Sequence, residues 1–270
     1  MPVLSRNGQR IDYIDEGAGD TLVLIHSSVS GNRQWLALID SLKDCYRVIA
    51  PNLFGYGETT PWPGTVRQTL ADQAELVLAL CAELEGPIHL VGHSFGGAVA
   101  LTVASRLAAR VGKLVLFEPT LFYLLHQDGR RDAFLEAESL AGHVRECAAR
   151  NDWEPGAASF ADYWLGDGAW TGMPEKRRAA FTAALRPSLF EFDAGFDETS
   201  TIDTCRSLPA RTLVMHDAES RRSVLEIVEI LEKACPHWSF NRLGGVGHMA
   251  PLTRPDVVNP IIKAFFEEKE

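Results

Sequence analysis

The chain has 270 residues, which is enough for one large hydrophobic core or for one core that carries a smaller inserted unit. Hydrophobic residues make up 46% and charged residues 23% of the chain, a composition that excludes an intrinsically disordered protein. The formal net charge of −10 repels phosphate groups at long range, so we expect neither nucleic acid nor an anionic membrane as a partner.

The five cysteines are scattered singly and lack the spacing of a disulfide framework or a metal site. Free thiols are typical of a reducing compartment. The first residues lack the basic start and long apolar run of a signal peptide, and no apolar run approaches the ~20 residues that a membrane helix requires. We therefore expect a cytoplasmic protein, and the sequence leaves its oligomeric state open.

The first fifty residues predict strands and one helix. An Asn7-Gly8 turn separates two short strands, because both residues accept positive φ angles. Residues 21–25 form a continuous apolar run, as expected for a strand that is covered on both faces. Apolar residues at helical spacing over 35–42 predict a helix, and another buried strand follows at 46–50.

Strands and helices then alternate. Helices are predicted at 67–84 and 95–110, and strands at 87–91 and 113–117. This alternation predicts an α/β fold with a mostly parallel central sheet and helices on both faces.

The alternation stops after residue 118. Residues 119–208 contain helical patterns and Gly or Pro breaks but no convincing strand. We therefore predict a core domain of residues 1–118 and 209–270 with a helical insertion at 119–208. Alternation resumes with predicted strands and helices at 212–216, 224–235, 238–243 and 260–268.

Gly92, Ser94 and Gly96 form a Gly-x-Ser-x-Gly motif between a predicted strand and a helix of small residues. A serine on such a turn exposes its hydroxyl, and the glycines on each side prevent side-chain clashes. The alternative is a Gly-Ser turn that only joins two elements. With strand and helix both predicted, the motif resembles the nucleophile elbow of the α/β-hydrolase family, which implies that fold and Ser94 as nucleophile.

A serine hydroxyl needs a positioned base to act as a nucleophile at neutral pH. In the family this base is a histidine in a Gly-His setting after the last strand, and Gly247-His248 stands at that place. The chain order, nucleophile first and histidine last, also agrees with the family. The resemblance thus implies that His248 is the general base.

The carboxylate that should orient this histidine is the open question. The common family pattern His-Gly-x-x-Asp would place Ser220 where the aspartate belongs. Glu118, which ends the strand at 113–117, resembles the acid of haloalkane dehalogenases and zearalenone lactone hydrolases. We predict Glu118 as the acid, with Asp217 and Glu219 as alternatives, and expect exchange of Asp217 for asparagine to be nearly silent.

Two backbone amides should stabilise the oxyanion of an acyl-transfer reaction. In the family one belongs to the residue after the nucleophile, here Phe95. The other lies on the loop after the strand at 21–25, where relatives often have His-Gly and this chain has His26-Ser27. Alignment on the histidine implies Ser28 as the second donor.

The resemblance further implies that residues 119–208 form a cap domain over the active site. Most of its aromatic residues are expected to form its own core, while Trp164 and Trp170 are predicted to bind substrate. An aromatic lining with few cationic groups favours an apolar carboxylic ester or lactone. The expected reaction is that of a serine hydrolase with an acyl-enzyme intermediate, which requires neither a metal nor an organic cofactor.

Two alternatives stay open. A hydrolase of carbon–carbon bonds in diketones uses the same kind of triad, although its acid is usually aspartate. A ligand receptor of this fold would turn over slowly, since fold alone does not fix function. A serine at position 94 argues against dehalogenase and epoxide hydrolase chemistry, in which relatives use an aspartate nucleophile.

Overall fold

One eight-stranded sheet forms the centre of the computed structural model, which describes residues 2–6 and 8–268. In chain order its strands are β1 (Val3–Arg6), β2 (Gln9–Glu16), β3 (Asp20–Ile25), β4 (Tyr46–Pro51), β5 (Ile88–His93), β6 (Val111–Phe117), β7 (Arg211–Asp217) and β8 (Ser239–Leu243). Across the sheet they follow the order β1-β2-β4-β3-β5-β6-β7-β8. Only the β1–β2 and β2–β4 pairs of these described strands are antiparallel, which confirms the predicted mostly parallel sheet.

β1 and β2 form the N-terminal hairpin that the sequence predicts. Arg6 pairs with Gln9 at its tip, and Gly8 in the turn has a φ of 78°, which a residue without Cβ adopts readily. Asn7, the other predicted turn residue, lies outside the described residues. The hairpin therefore agrees with the prediction at Gly8.

Helices occupy the connections between the parallel strands. Those formed by the described residues are α1 (Leu36–Leu42), α2 (Leu70–Cys81), α3 (Phe95–Leu107), α4 (Phe122–Gln127), α5 (Arg131–Ala149), α6 (Trp153–Leu165), α7 (Ala169–Gly172), α8 (Glu175–Leu185), α9 (Ser188–Phe196), α10 (Ile202–Arg206), α11 (Arg222–Ala234), α12 (Ala250–Thr253) and α13 (Pro255–Glu267). Within this part of the chain, no helix combines the length and apolar character that crossing a bilayer demands.

Two helix starts differ from the predicted ones because of local capping. α2 begins at Leu70 because the Thr69 hydroxyl accepts a hydrogen bond from the Asp72 amide and the Asp72 carboxylate accepts one from the Thr69 amide. α13 begins at Pro255, ahead of the predicted start at residue 260. Proline suits the first turn, where its missing N–H is not needed, and Pro260 lies inside the helix at an exposed position.

Both faces of the sheet are covered by helices. In β3, Leu22 and Leu24 pack into the cluster that contains side chains of α1 and α13, whereas Val23 and Ile25 pack into the cluster of α2, α3 and α11. Successive side chains of a strand point to opposite faces, so this apolar run is buried on both sides. Each such fully buried side chain stabilises the fold by about 1.5–3 kcal/mol.

The segment between β6 and β7 forms α4 to α10, and over residues 118–210, all of which the structure describes, no strand occurs. This confirms the predicted helical insertion. Helices α4 and α5 pack against α11 of the sheet layer, which fixes the insertion beside the carboxyl ends of the central strands. The division into a core domain and a separate cap at 119–208 stays a prediction.

Strand order brings three distant chain segments to one edge of the sheet. β5, β6 and β7 are parallel neighbours, with His93 paired to Phe117 and Phe117 paired to Met215. Ser94 and Glu118 each follow one of these paired residues, so both leave the sheet side by side at its carboxyl edge. Ligands of open α/β sheets bind at this edge, and it is where the candidate site lies.

Candidate active site

Ser94 occupies a strained turn between β5 and α3. Its φ of 55° and ψ of −121° lie in a region that non-glycine residues rarely adopt, and α3 begins with the next residue, Phe95. A Cβ on Gly92 would approach the Gly96 carbonyl oxygen at 2.4 Å, and one on Gly96 would approach the His26 carbonyl oxygen at 2.3 Å. Both glycines are thus required by close backbone approach, and the turn has the geometry of a nucleophile elbow.

A continuous chain of hydrogen bonds starts at this serine. Ser94 Oγ lies 3.0 Å from His248 Nε2, and His248 Nδ1 lies 2.5 Å from Glu118 Oε2. All three residues are buried, with Glu118 wholly inaccessible to solvent. The structure therefore brings together the serine, histidine and carboxylate that the sequence analysis singled out, from positions 94, 118 and 248.

Glu118 is held by two further donors. The backbone N–H of Asp217 donates to Oε1 at 2.8 Å, and the Ser220 hydroxyl donates to Oε2 at 2.9 Å. The backbone of Glu118 has a φ of 44°, in the left-handed region that side chains rarely adopt. The surrounding contacts thus hold this carboxylate in one orientation, facing the imidazole.

Neither alternative acid contacts the histidine ring. The Asp217 carboxylate accepts hydrogen bonds from the backbone N–H groups of Glu219 at 3.1 Å, Gly245 at 3.0 Å and Gly247 at a shorter distance. It therefore braces the loop that carries His248. Glu219 has an exposed side chain. The geometry favours Glu118 over both alternatives as the partner of the imidazole.

The loop after β3 lies on the other side of the serine. Ser28 from this loop and Phe95 from the start of α3 line the same cavity as Ser94, as expected if their amides face an oxyanion. Burial lowers the pKa of His26 to about 4, so its ring is neutral at pH 7 and Nε2 accepts a hydrogen bond from the Leu53 amide at 3.1 Å. This bond fixes the base of the loop.

The same loop contains a second strained residue, Val29, whose φ is 60°. Its N–H donates to the Tyr56 hydroxyl at 2.9 Å, which holds the unusual conformation in place. The loop therefore reaches the serine without the glycine that relatives often have at position 27.

Two small, partly open cavities meet at Ser94. The first, here called the Glu191 cavity, is lined by Glu191 together with Ser28 and Phe95. The second, here called the His248 cavity, is similarly small and is bounded by His248 and Met249. Helices of the insertion supply most of the walls, through the aromatic side chains Phe122, Phe160, Trp164, Phe181 and Phe192.

The two predicted substrate-binding tryptophans lie in different places. Trp164 borders both cavities, and its ring stacks on the imidazole of His248 with a centroid distance of 4.0 Å and an interplanar angle of 28°. Trp170 lines neither cavity and packs edge-on against Phe181, with Arg178 above its ring. Trp170 lies behind the wall of the His248 cavity, because the short α7 buries its ring against α8, and its role in substrate binding stays a prediction.

Residues 22–261 match the alpha/beta hydrolase family, a stretch that includes the elbow, Glu118 and His248. The chain belongs to this family. Membership supports hydrolysis as the class of reaction and agrees with the fold described above.

The proteins that this chain resembles in sequence are named for different enzyme activities. A 2-hydroxymuconate semialdehyde hydrolase of Pseudomonas putida is 27% identical over 277 residues, covering 97% of this chain and 92% of that protein. A cis-3-alkyl-4-alkyloxetan-2-one decarboxylase of Shewanella oneidensis is 30% identical over 126 residues, covering 45% of this chain and 39% of that protein. The chain thus matches only about two fifths of the decarboxylase's length.

A solved thermophilic esterase from Thermogutta terrifontis has the same fold. It superposes with a TM-score of 0.77 at 24% identity, covering 98% of this chain and 96% of that one. This likeness shows a shared fold over 98% of this chain.

Three residues at this α/β-hydrolase site were not assigned roles from the sequence. His93 is fully buried, and its Nε2–H donates to the His248 carbonyl oxygen at 2.9 Å. Burial lowers the pKa of His93 well below its usual value, which keeps the ring neutral. In the sequence, the position of His93 beside Ser94 in the elbow was the feature that could have indicated this role. Ser220 was noted only as the residue at the usual place of the aspartate, and Glu191 carried no sequence signal, since the residues around these two side chains lie far away in the chain.

Proposed function

We propose that the protein is a serine hydrolase that cleaves an apolar carboxylic ester or lactone through an acyl-enzyme intermediate. The observation that supports this proposal is the chain of hydrogen bonds that joins Ser94, His248 and Glu118. The Ser94 end of this chain lines an aromatic cavity. A nucleophile within 3.0 Å of a base, with that base oriented by a third group, is the arrangement that acyl transfer requires.

In the first step, His248 Nε2 takes the proton of Ser94 as Oγ attacks the carbonyl carbon. The electron pair of the carbonyl moves onto its oxygen, which the amides of Phe95 and Ser28 stabilise. Preorganised donors of this kind typically contribute about 10²–10³ in rate each. The carbon–oxygen bond to the leaving group then breaks, and the His248 imidazolium protonates the departing alkoxide.

In the second step, a water molecule attacks the acyl carbon of the ester on Ser94. His248 removes a proton from the water and returns it to Ser94 Oγ when the acyl-enzyme bond breaks, which releases the acid and restores the enzyme. With a lactone, the leaving alkoxide stays attached to the acyl chain and the product is a hydroxy acid.

Glu118 and Trp164 support the histidine in this proposal. Glu118 accepts the Nδ1–H of His248, which selects the tautomer with a free Nε2 and stabilises the imidazolium that forms. The stacked Trp164 ring presents its π face to the same imidazolium, an attraction worth about 1–2 kcal/mol in a desolvated site. Neither group exchanges a proton with the substrate.

We further propose that residues 119–208 act as a cap domain. Side chains from α4, α6 and α9 line the Glu191 cavity above Ser94, so a substrate must pass between the insertion and the sheet layer. The aromatic character of these walls favours an apolar substrate, because burial of apolar area is worth about 25 cal/mol per Å².

A carbon–carbon bond hydrolase is the second candidate, because a 2-hydroxymuconate semialdehyde hydrolase aligns over 97% of the chain. Two features argue against it. The acid here is a glutamate after β6, and the lining of the Glu191 cavity includes a carboxyl group and, among the described residues, no lysine or arginine. A substrate that itself carries a carboxylate would meet like charge there when Glu191 is ionised, and no cation would offset it.

The proposal is tested with a fluorophosphonate label and a substrate panel of aryl esters, lactones and ring-fission diketones. We expect covalent labelling of Ser94 in the wild type, no labelling of Ser94→Ala, and turnover of esters or lactones. Turnover of a diketone far above that of every ester and lactone would favour the second candidate. A single slow burst with retained product would instead favour a receptor.

A further inference from the structure

Glu191 is a buried acid that the proposed reaction does not use. It lies on α9 in the wall of the Glu191 cavity and is only 3% exposed. Neither carboxyl oxygen forms a hydrogen bond of normal geometry with the residues that the structure describes, although the hydroxyls of Ser28 and Tyr56 lie near enough to interact with it. An unpaired buried polar group costs about 1–3 kcal/mol, so a carboxyl aimed into a cavity next to the nucleophile points to a ligand group that pairs with it.

The surroundings of this carboxyl are polar on one side only. The hydroxyls of Ser28 and Tyr56 face it, whereas Phe122 and Phe192 border the same cavity. Tyr56 is the one titratable neighbour that interacts with it among the described residues; its hydroxyl oxygen accepts a hydrogen bond from Val29, which leaves its O–H free to turn toward the carboxyl. Burial raises the pKa of Glu191 to about 7, and the two hydroxyls only partly oppose this rise.

The two cavities differ in which part of an ester they can receive. In the proposed reaction His248 protonates the leaving alkoxide, so the leaving group must lie against the imidazole. His248 borders the cavity named after it but is absent from the lining of the Glu191 cavity. Ser94 and Ser28 line both cavities, whereas Phe95 lines only the Glu191 cavity, so this cavity is the one left to receive the acyl part of the substrate.

We propose that Glu191 is a specificity residue that binds a hydroxyl group on the acyl part of the substrate. The preferred substrates are then hydroxyacyl esters or hydroxylated lactones, an inference that rests on the proposed ester or lactone hydrolysis. A hydroxyl can pair with the carboxyl in either protonation state, as donor or as acceptor. It also loses less hydration free energy on entering an aromatic cavity than a charged group does.

Two charged groups are the competing ligands. A carboxylate on the acyl chain would be repelled by the ionised form of Glu191 and finds no cationic side chain in the described lining of its cavity. An ammonium group would be attracted by the carboxylate and by the aromatic faces, but its desolvation in an aromatic cavity opposes binding. The hydroxyl therefore fits the cavity best, and the test separates it from both competitors.

The experiment uses p-nitrophenyl esters, which share one leaving group and differ only in the acyl chain. Chains of three to six carbons that end in a hydroxyl are compared with isosteric alkanoyl chains that end in a methyl group. Chains that end in an ammonium or a carboxylate complete the series. We expect kcat/KM of the wild type to favour the hydroxyl over its isostere by about tenfold at one chain length, as one added hydrogen bond predicts.

Variants at Glu191 connect this preference to the side chain. Glu191→Leu removes every polar atom and should bring the hydroxyl-to-methyl ratio of kcat/KM to about one. Glu191→Gln keeps a carbonyl oxygen that accepts the hydroxyl and should retain most of the ratio. Glu175→Gln, an exposed change on α8, is the matched control and should leave the ratio unchanged. Circular dichroism and melting curves establish that each variant is folded.

Several results would overturn the inference. A wild-type ratio near one at every chain length contradicts it without needing any variant, even if Glu191→Leu fails to fold. A preference for the ammonium chain that disappears in Glu191→Gln identifies a cationic ligand instead. If no ester is hydrolysed and Ser94 is not labelled, the proposed function itself fails, whereas turnover without hydroxyl preference removes only the role of Glu191.

Discussion

The backbone N–H of Asp217 donates a hydrogen bond of 2.8 Å to the carboxylate of Glu118. The two acidic residues end neighbouring strands, β7 and β6, yet their carboxylates face different groups. Glu118 faces the imidazole of His248, and Asp217 faces the backbone of the loop that carries this histidine. Glu118 therefore orients the ring of His248, and Asp217 supports the loop that carries it.

Exchange of Glu118 for glutamine tests the first of these tasks. A neutral amide at this position stabilises the imidazolium poorly and can hold the wrong tautomer, so we expect kcat to fall by about 10⁴, as in a serine protease that lacks its aspartate. Steady-state kinetics on an aryl ester measures the change. Glu219→Gln, at an exposed neighbouring position, is the control and should retain the wild-type rate. Similar losses in both variants would remove Glu118 from its proposed role.

Asp217→Asn tests the second task, and the structure changes the expectation that it would be nearly silent. The aspartate accepts three backbone N–H groups; the carbonyl oxygen of asparagine can still accept those of Glu219 and Gly245, but the NH₂ that replaces Oδ2 cannot accept that of Gly247. We expect the free energy of unfolding to fall by about 1–3 kcal/mol. Chemical denaturation measures this, and kcat should fall far less than in Glu118→Gln. A kcat loss equal to that of Glu118→Gln would assign the acid to Asp217.

Trp164 is predicted to act on the charged form of the histidine. Loss of the stacked ring in Trp164→Ala should lower kcat by about tenfold, because the π face no longer stabilises the imidazolium. Trp164→Phe keeps an aromatic face and should recover most of the rate. The control is Trp153→Phe on the same helix, whose ring lies under Arg186 rather than on His248. Equal rates for Trp164→Ala and the wild type would contradict the prediction.

Glu191 should make stability depend on pH. Burial raises its pKa from 4.5 to about 7, so the folded protein keeps a proton that the unfolded chain releases between these values. The contribution to the free energy of unfolding is therefore lost as pH rises through this window, by about 3 kcal/mol in total.

The Glu191→Gln variant has no ionisable group at this position, so its free energy of unfolding should not fall in this way as the pH rises. Its melting temperature relative to the wild type should rise from about pH 4.5 upward and level off above about pH 7. Thermal melting of both proteins in a series of buffers measures the difference. A difference that does not vary with pH would show that the side chain carries no such proton.

Much of the fold could be predicted from local pattern. The apolar run at 21–25 marks a strand buried on both faces, and the small residues of the elbow mark a close approach of strand and helix. Helix ends were less well predicted, since the start of α13 depends on a proline that fits the first turn. These signals act over a few residues, and so they are present in the sequence.

Both the local sequence motifs and the tertiary structure were needed to identify the candidate site. Ser94 and His248 were singled out by motif and chain order, but only the strand order β5-β6-β7 decides which carboxylate reaches the imidazole. Trp164 and Trp170 have similar sequence surroundings, and packing alone places one ring on His248 and the other behind Phe181.

The sequence by itself determined the class of fold, the elbow and its serine, because burial periodicity and glycine requirements are local properties. Tertiary structure decided that Glu118 faces His248, that Asp217 braces the loop, and that Glu191 lies buried in the cavity beside the nucleophile. These relationships join residues that lie from 28 to 130 positions apart in the chain, and they exist only once neighbouring strands and the helical insertion have packed against each other.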